Sequence, residues 1–483
     1  MVSTVSAASS VVYVNGSHGN DSWSGTSWAT AKLTIKNATG TVANGGTVNI
    51  ANGVYSGTKN TKITIEKNMT IRGQSKNSTI INGKGTWIFS NPKATVTIYN
   101  LTIKNATESF TDNFGVISNN GTMTVNNCIL KDNHGLWFGT IFNTGKLNVI
   151  NSDFTGNSVD GLTTTSASYP GSSGGAITNT GNSICSVIGS TFTNNYAGCD
   201  GGAIYNYYGN LTVKNSAFKN NTANLGGAIY NDWIAAVNFN QIIGNSTNND
   251  IFIDYNGLIN SENNWWGSNA GPLNTINIKP VKWLILKITA SQNLVKINGT
   301  STITVDLTHD SAGVYHNPTY GHVPDGIPVA FTKTLGTISN SYTVNGIAKA
   351  IFKGGLTSGI ATISAKVNNQ TVKTSVTVDA TIPTVKSIDP VNNALNVPRY
   401  KTIKITFSEP VKAGSNYWIE LKNSNGTLIP ITKSISGNIL TISHSALLAK
   451  GVKYTLILHT GCVTDSAGNS LALRTFSFTT SKI

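Results

Sequence analysis

Between residues 115 and 245 the apolar and polar positions recur in blocks. The pentamers GVISN, GTIFN, GAITN, GAIYN and GAIYN place Ile117, Ile141, Ile177, Ile204 and Ile229 at one equivalent position, separated by 24, 36, 27 and 25 residues. About eight residues later a second column follows, Val125, Val149, Val187, Val213 and Val237. Five residues beyond it lie Leu130, Phe154, Phe192, Phe218 and Ile242. Asn133, Asn157, Asn195, Asn221 and Asn245 close the units. Each block holds two or three short segments in which apolar and polar residues alternate, the period of a strand with one buried face.

Three such segments in about 25 residues, coiled once and restacked, predict a right-handed parallel β-helix of 24–27 residues per coil. Helical solenoids need longer units and an apolar spacing of 3.6, which is absent, and the leucine-rich framework is missing. The wide gap holds an insertion, residues 158–173, expected to loop out of one turn. In the opening hexamer the Gly pair permits a tight corner, Ile points into the coil, the next residue points out and Asn points in again. Asn119, Asn143, Asn179, Asn206 and Asn231 are therefore expected to stack as an internal ladder of side-chain amides.

A solenoid needs its ends closed. Residues 27–42 predict a short amphipathic helix at the first end, and Trp265 and Trp266, just before Gly267, are expected to cap the other. From Ile276 the strands lengthen and recur about every ten residues, the signature of β-sandwiches with a Pro-marked linker between them. The domain plan is thus a remnant of a secretory signal in residues 1–8, a β-helix in 9–275, and Ig-like sandwiches in 276–380 and 381–483.

Composition narrows the function. Only 11% of the residues are charged and 39% are hydrophobic, with 48 Gly among 483, which fits an all-β chain with many turns rather than a disordered one. The net charge of +14 comes from scattered lysines, with arginines only at 72, 399 and 474. No basic run or helix of the kind that grips nucleic acid is present, and a diffuse positive field suits an anionic surface better. Four cysteines show neither paired nor metal-ligand spacing, so no disulfide framework or zinc site is expected, and Cys462 is expected unpaired. No run of apolar residues reaches membrane-spanning length. Dense N-x-[ST] sequons agree with export and glycosylation.

For chemistry, the outward position beside the Asn ladder holds Ser118, Phe142, Thr178, Tyr205 and Tyr230. Tyr205 and Tyr230 are expected to stack on adjacent coils and, with Phe142, Tyr207, Tyr208 and Trp233, to offer exposed rings to sugars. The rival is polysaccharide cleavage, which requires two carboxylates on one face. Asp132 and Asp153 sit at different offsets from their aligned valines and are expected to face different ways. The remaining coil acids are Asp112, Asp160, Asp200, Asp232, Asp250 and Asp254. His134 reads as a solvated turn, Lys214 and Lys219 lack acidic company, and Glu409 and Asp465 read as turn residues rather than a Ca²⁺ site. No catalytic residue, metal or cofactor is assigned.

Several stretches carry a resemblance. VYVNGSHGNDSWSGTSW, the GGAIYN coils and NNWWGSNAGP resemble the β-helix region of adhesin-like surface proteins of methanogenic archaea. WLILKITA, STITVDLTHDSAG, GHVPDGIPVAF and LGTIS resemble Ig-like domains of the invasin/intimin group. IPTVKSIDPVNNALNVP, ITFSEPV and GCVTDSAGN resemble the Ig-like domain of surface-layer proteins. The resemblance implies an exported cell-surface protein presenting its β-helix on Ig-like spacers to glycans, cell-wall polymers or surface proteins of other cells. A structural envelope role and a polysaccharide lyase or hydrolase are the alternatives.

Overall fold

A computed structural model describes residues 8–109, 114–160, 171–246, 249–272 and 280–483. The expected signal remnant, Asp112 and most of the 158–173 insertion lie outside the described residues. The coils form three long parallel sheets. One has ten strands, from Val11–Val14 to Leu258–Asn260, and the other two have eight each. A small fourth sheet joins His134–Gly135, Ser158–Val159 and Tyr196–Ala197. Register follows the repeat: Ile117 pairs with Ile141, then Ile177, Ile204, Ile229 and Ile251.

Because equivalent residues sit directly above one another, the core is a set of like-on-like columns. Phe154, Phe192 and Phe218 stack with ring centroids 4.8 Å apart and planes within 9° and 2° of parallel. That spacing is the strand separation of a sheet. The corners use a second repeated device. Asn100, Asn127, Asn151, Gly189, Asn215 and Asn263 share one corner column and all adopt left-handed φ of 47–60°. Asn tolerates this region better than other residues with a Cβ, which accounts for Asn recurring at this corner. Phe239 occupies the same corner with φ 60°, the bulky exception.

At the first end Ile35–Thr41 forms a short α-helix that buries Ile35, Ala38 and Thr39 beside the first strands. At the other end the tryptophan pair divides. Trp266 packs in the β-helix core, whereas Trp265 belongs to the core of the first sandwich with Leu284, Ile303 and Val378. The expectation that both cap the coils is corrected for Trp265. Adjacent residues of an extended segment point to opposite sides, so the pair fastens two cores together.

The first sandwich packs a sheet of three strands on one of five, and the second carries two four-stranded sheets and a two-stranded ribbon. The junction between coils and first sandwich is polar as well as apolar. Asn368 Oδ1 accepts from Trp265 Nε1 at 2.8 Å and from Gln241 Nε2 at 2.9 Å. Phe239 lies 5.6 Å from the His316 ring, and a Cβ on Gly321 would sit 2.4 Å from the Phe239 ring. The strained corner at Phe239 is thus matched by a close interdomain contact. All four cysteines are free, and Cys128, Cys185 and Cys462 are buried.

Candidate ligand-contact face

One eight-stranded sheet carries the residues singled out for binding. Its inward positions form the asparagine ladder. Each Nδ2 donates to the next Oδ1, from Asn91 to Asn119 at 2.8 Å and then to Asn143, Asn179, Asn206 and Asn231 at 2.7 Å. All these amides from Asn119 to Asn231 are fully buried. Two further ladders were not foreseen. Asn133, Asn157, Asn195, Asn221 and Asn245 are linked at 2.9 Å and end on Asp250. Ser152, Ser190 and Ser216 accept backbone N–H groups from the preceding coil at 3.1 Å and are succeeded by Asn240 and Asn264. The alignment of Asn133 through Asn245 was visible in the sequence; the shared Ser and Asn role was hidden by the change of residue type.

The outward column runs Ser118, Phe142, Thr178, Tyr205, Tyr230 and Phe252. Tyr205 and Tyr230 stack at 4.9 Å, and Tyr230 and Phe252 at 5.3 Å. The expected exposure of the first two is corrected: Tyr205 is 2% exposed and Tyr230 6%. The Gly-Gly corner folds back against the strand that follows it. Gly201 and Gly226 have φ of 65° and 64°, and a Cβ there would lie 2.4 Å from the Ile204 and Ile229 carbonyl oxygens. Outward from the coil is therefore not outward to water. Burial, followed by the nearby Asp200, pushes the Tyr205 hydroxyl far above the ordinary phenol range. Burial and its hydrogen bond to Asp254 do the same for Tyr230. Burial, with Asp254 adding to it, pushes Asp200 up to about 6. The exposed rings of this end are Tyr208 and Trp233, 5.6 Å apart, with half-buried Tyr207 edge-on to Tyr208 at 4.5 Å.

Two and three coils before Tyr205 the same face opens. A cleft of about 580 Å³ is lined by Phe114, Ser118, Asn120, Trp137, Phe138, Phe142 and Thr144. Phe138 and Phe142 lie 4.4 Å apart, and Phe114 meets them at 5.6 and 5.8 Å. Glu108, 4% exposed, shapes this wall. Its Oε2 accepts the backbone N–H groups of Leu136 at 2.5 Å, Trp137 at 2.7 Å and Phe138 at 3.2 Å. Three donors converging on one carboxylate oxygen fix a loop strongly. Of the foreseen residues only Phe142 lies in the cleft. Phe114, Trp137, Phe138 and Glu108 were missed, although the aromatic pair flanked by glycines in GLWFG was a usable signal.

The two coil acids weighed for catalysis are not paired with each other. Asp153 pairs with Lys76 at 3.1 Å and accepts from Thr191 at 2.7 Å, while Asp132 is exposed in a left-handed corner. His134 is corrected from a solvated turn to a part-buried strand residue, bonded to Ser158 at 3.1 Å and Asp160 at 3.2 Å. Among the described residues no carboxylate lines the cleft. In the second sandwich Glu409 and Asp465, read as isolated turn residues, come together with Asp379, their ligand atoms all within 4.8 Å. Burial and the other two acids raise the Glu409 carboxyl.

Sequence comparison places a known fold at this end of the chain. The second sandwich resembles a bacterial Ig-like domain. That family model matches residues 379–480. Residues 189–207 and 215–232, both within the coils, match the repeat of the Chlamydia polymorphic membrane protein. No curated protein matches the chain. Among solved structures, CopC from Methylosinus trichosporium OB3b is 19% identical over 20% of this chain and 93% of its own, with a TM-score of 0.18. The Yersinia pseudotuberculosis adhesin InvE is 20% identical over 40% of this chain and 58% of its own, TM-score 0.18. A C-terminal 282-residue fragment of intimin, solved with the intimin-binding domain of its translocated receptor, is 21% identical over 40% of this chain and 63% of its own, TM-score 0.23. The chain spans less than two thirds of those two adhesin structures, and at such identity the likeness concerns the fold alone.

Proposed function

We propose that this chain is an adhesin-like protein of the cell surface, making non-catalytic contact through its β-helix with surface glycans, cell-wall polymers or surface proteins of other cells. The observation that carries this reading is the long outer face of the eight-stranded sheet, with an uncharged aromatic cleft at one end and the exposed Tyr208–Trp233 group at the other. Exposed rings at the rise of successive coils suit extended partners better than small molecules. The Ig-like match in residues 379–480 and the polymorphic-membrane repeats support a surface setting. No described helix is long and apolar enough to cross a membrane. Polysaccharide cleavage is the second reading: Asp153 and Asp160 are engaged with Lys76 and His134, whereas Asp254 lies close enough to Asp200 and Asp232 to add to burial in raising both carboxyls, away from the aromatic cleft.

The test incubates the full chain with immobilised neutral and acidic polysaccharides and with whole cell-wall material, recording retained protein and released reducing or unsaturated ends together. Retention without release is expected. Release of ends, abolished by replacing one coil carboxylate, would overturn the non-catalytic reading, and failure to bind any surface or cell would remove the contact role.

A further inference from the structure

The Phe142 cleft differs from the rest of the face in three ways that define a ligand. It is open where Tyr205 and Tyr230 are covered. Its walls come from two successive coils, residues 114–120 and 137–144, and none of its described lining side chains is ionised at neutral pH. Its volume falls within the range of pockets that enclose organic ligands, about 300–1,000 Å³.

We propose that this cleft binds a neutral, unbranched glycan lying along the β-helix axis, a reading that rests on the surface-contact role above and names its ligand class and site. The rings of Trp137, Phe138 and Phe142, with Phe114 edge-on to Phe138 at 87°, offer π-faces and edges to the C–H faces of pyranose rings. Polar partners stand at the rim. Asn120 and Thr144 occupy successive coils, the Thr144 backbone N–H reaching the Asn119 carbonyl at 2.9 Å. The Thr144 hydroxyl donates to Asn120 Oδ1 at 2.7 Å, which leaves the Asn120 amide N–H₂ to donate outward. Polar groups one coil apart recur every 4.7–4.9 Å or so, close to the length of one sugar unit, so an extended chain meets a hydrogen-bonding group at each residue. A uronic acid, sulfate or phosphate group would find no cation in the lining and would lose hydration without a partner. Glu108 stands behind the wall, but it is buried and its Oε2 is occupied by three backbone donors.

Glu108 is accordingly a positioning residue. It touches no ligand, but it holds Trp137 and Phe138 at the wall, and a carboxylate gathering three N–H groups does this better than a neutral amide. Glu108→Gln keeps the shape and weakens the grip.

Isothermal titration and intrinsic tryptophan fluorescence of the full chain with cellohexaose, laminarihexaose, mannohexaose and hexagalacturonate test the assignment. At least one neutral hexamer is expected to bind and to quench fluorescence, with hexagalacturonate at least tenfold weaker. Phe142→Ala should weaken binding at least tenfold with the melting temperature of the coils retained, and Tyr400→Ala, an exposed ring of the second sandwich, should leave it unchanged. Glu108→Gln should weaken binding severalfold while changing the emission of Trp137, a signature that simple loss of stability would not give. Phe114→Ala, whose ring is 54% exposed, replaces Phe142→Ala if that variant does not fold. Binding that survives both phenylalanine changes and is lost in Trp233→Ala would overturn the cleft assignment while leaving the surface-contact role intact. Preference for hexagalacturonate, or uptake of the apolar dye Nile red with no neutral hexamer bound, would overturn the ligand class. If the chain also binds no cell-wall material, both readings fall.

Discussion

The β-helix and the sandwiches are both all-β, yet they satisfy their interiors differently. In the coils every buried position has a like neighbour above and below, so polar groups are admitted to the core. The asparagines of both ladders are satisfied by their own copies. In the sandwiches strands run mostly antiparallel and largely alternate, as Thr300–Asp310 and Ile347–Lys353 do, and their buried polar groups, Asp310, Asp465 and Asn469 among them, have no like copy above or below. Repetition is what makes buried amides tolerable, because each donor meets a matched acceptor. A sandwich core has no such translational copy, so each buried polar group there needs an unlike partner of its own, as Asp310 has in His316 and Asp465 in Asn469.

The strongest way to break this comparison is to remove one member of an apolar column. Phe192→Ala takes away a ring stacked on both sides and should cost about 3–5 kcal/mol. In scanning calorimetry of the full chain the loss should fall on the β-helix transition and leave that of the second sandwich in place. Equal displacement of every transition would mean that the chain unfolds as one unit and that the contrast has no thermodynamic counterpart.

Next in size is Asn206→Ala, in the middle of the ladder. It strands the Asn179 donor and the Asn231 acceptor, and leaving buried polar groups unpaired should cost about 2–4 kcal/mol. Asn231→Ala, at the end, strands only one neighbour and should cost less. Chemical denaturation of the two variants would show whether the ladder acts as a chain or as independent pairs.

Asp250 sharpens the comparison through pH. It ends the second ladder as the acceptor of Asn245, and burial pushes its carboxyl up to about 6. The folded chain therefore holds a proton that the unfolded chain releases near pH 4, so this residue's effect on stability worsens as pH rises from about 4 to 6. Asp250→Asn keeps the acceptor oxygen and should stabilise the coils by about 1–2 kcal/mol at pH 7, with no gain below pH 4. A gain independent of pH would show that the charge is not the cause.

The smallest effect on total stability, and the most specific, is expected at Phe239. Phe239→Asn relieves a left-handed backbone, worth about 1 kcal/mol or more, while removing the ring from Gly321. The two terms should nearly offset. What should change is coupling: the β-helix and first-sandwich transitions should separate on heating, and small-angle scattering should show a broader range of shapes. An unchanged profile would place the joint in Trp265 and Asn368 alone.

Much of this was legible residue by residue. Ile117 through Ile229 share one environment because identical spacing along a coil enforces identical height, and Asn two residues on must then share the same side. The cleft was not legible in the same way. Phe142 was identified from its column, whereas Phe114 and Phe138, three residues before Ile117 and Ile141, share a repeat position whose spacing does not show that it borders a cleft. Glu108 acts through backbone groups 28–30 residues away, a relation that no periodicity records. Asp379, Glu409 and Asp465 likewise meet only because a linker, a strand end and a turn converge.

By itself the sequence determined what repetition determines: parallel coils, their register, the inward Ile and Asn columns and the succession of coils by sandwiches. Each of these follows from side-chain alternation and a fixed unit length. Only the tertiary structure decided which outward positions reach water. Tyr205 and Tyr230 are covered because a Gly-Gly corner folds over them, Phe142 is open because its neighbouring segments stand apart, and Trp265 and Trp266 part because two cores meet between them. Exposure depends on backbone that is distant in sequence, and a local pattern has no record of it.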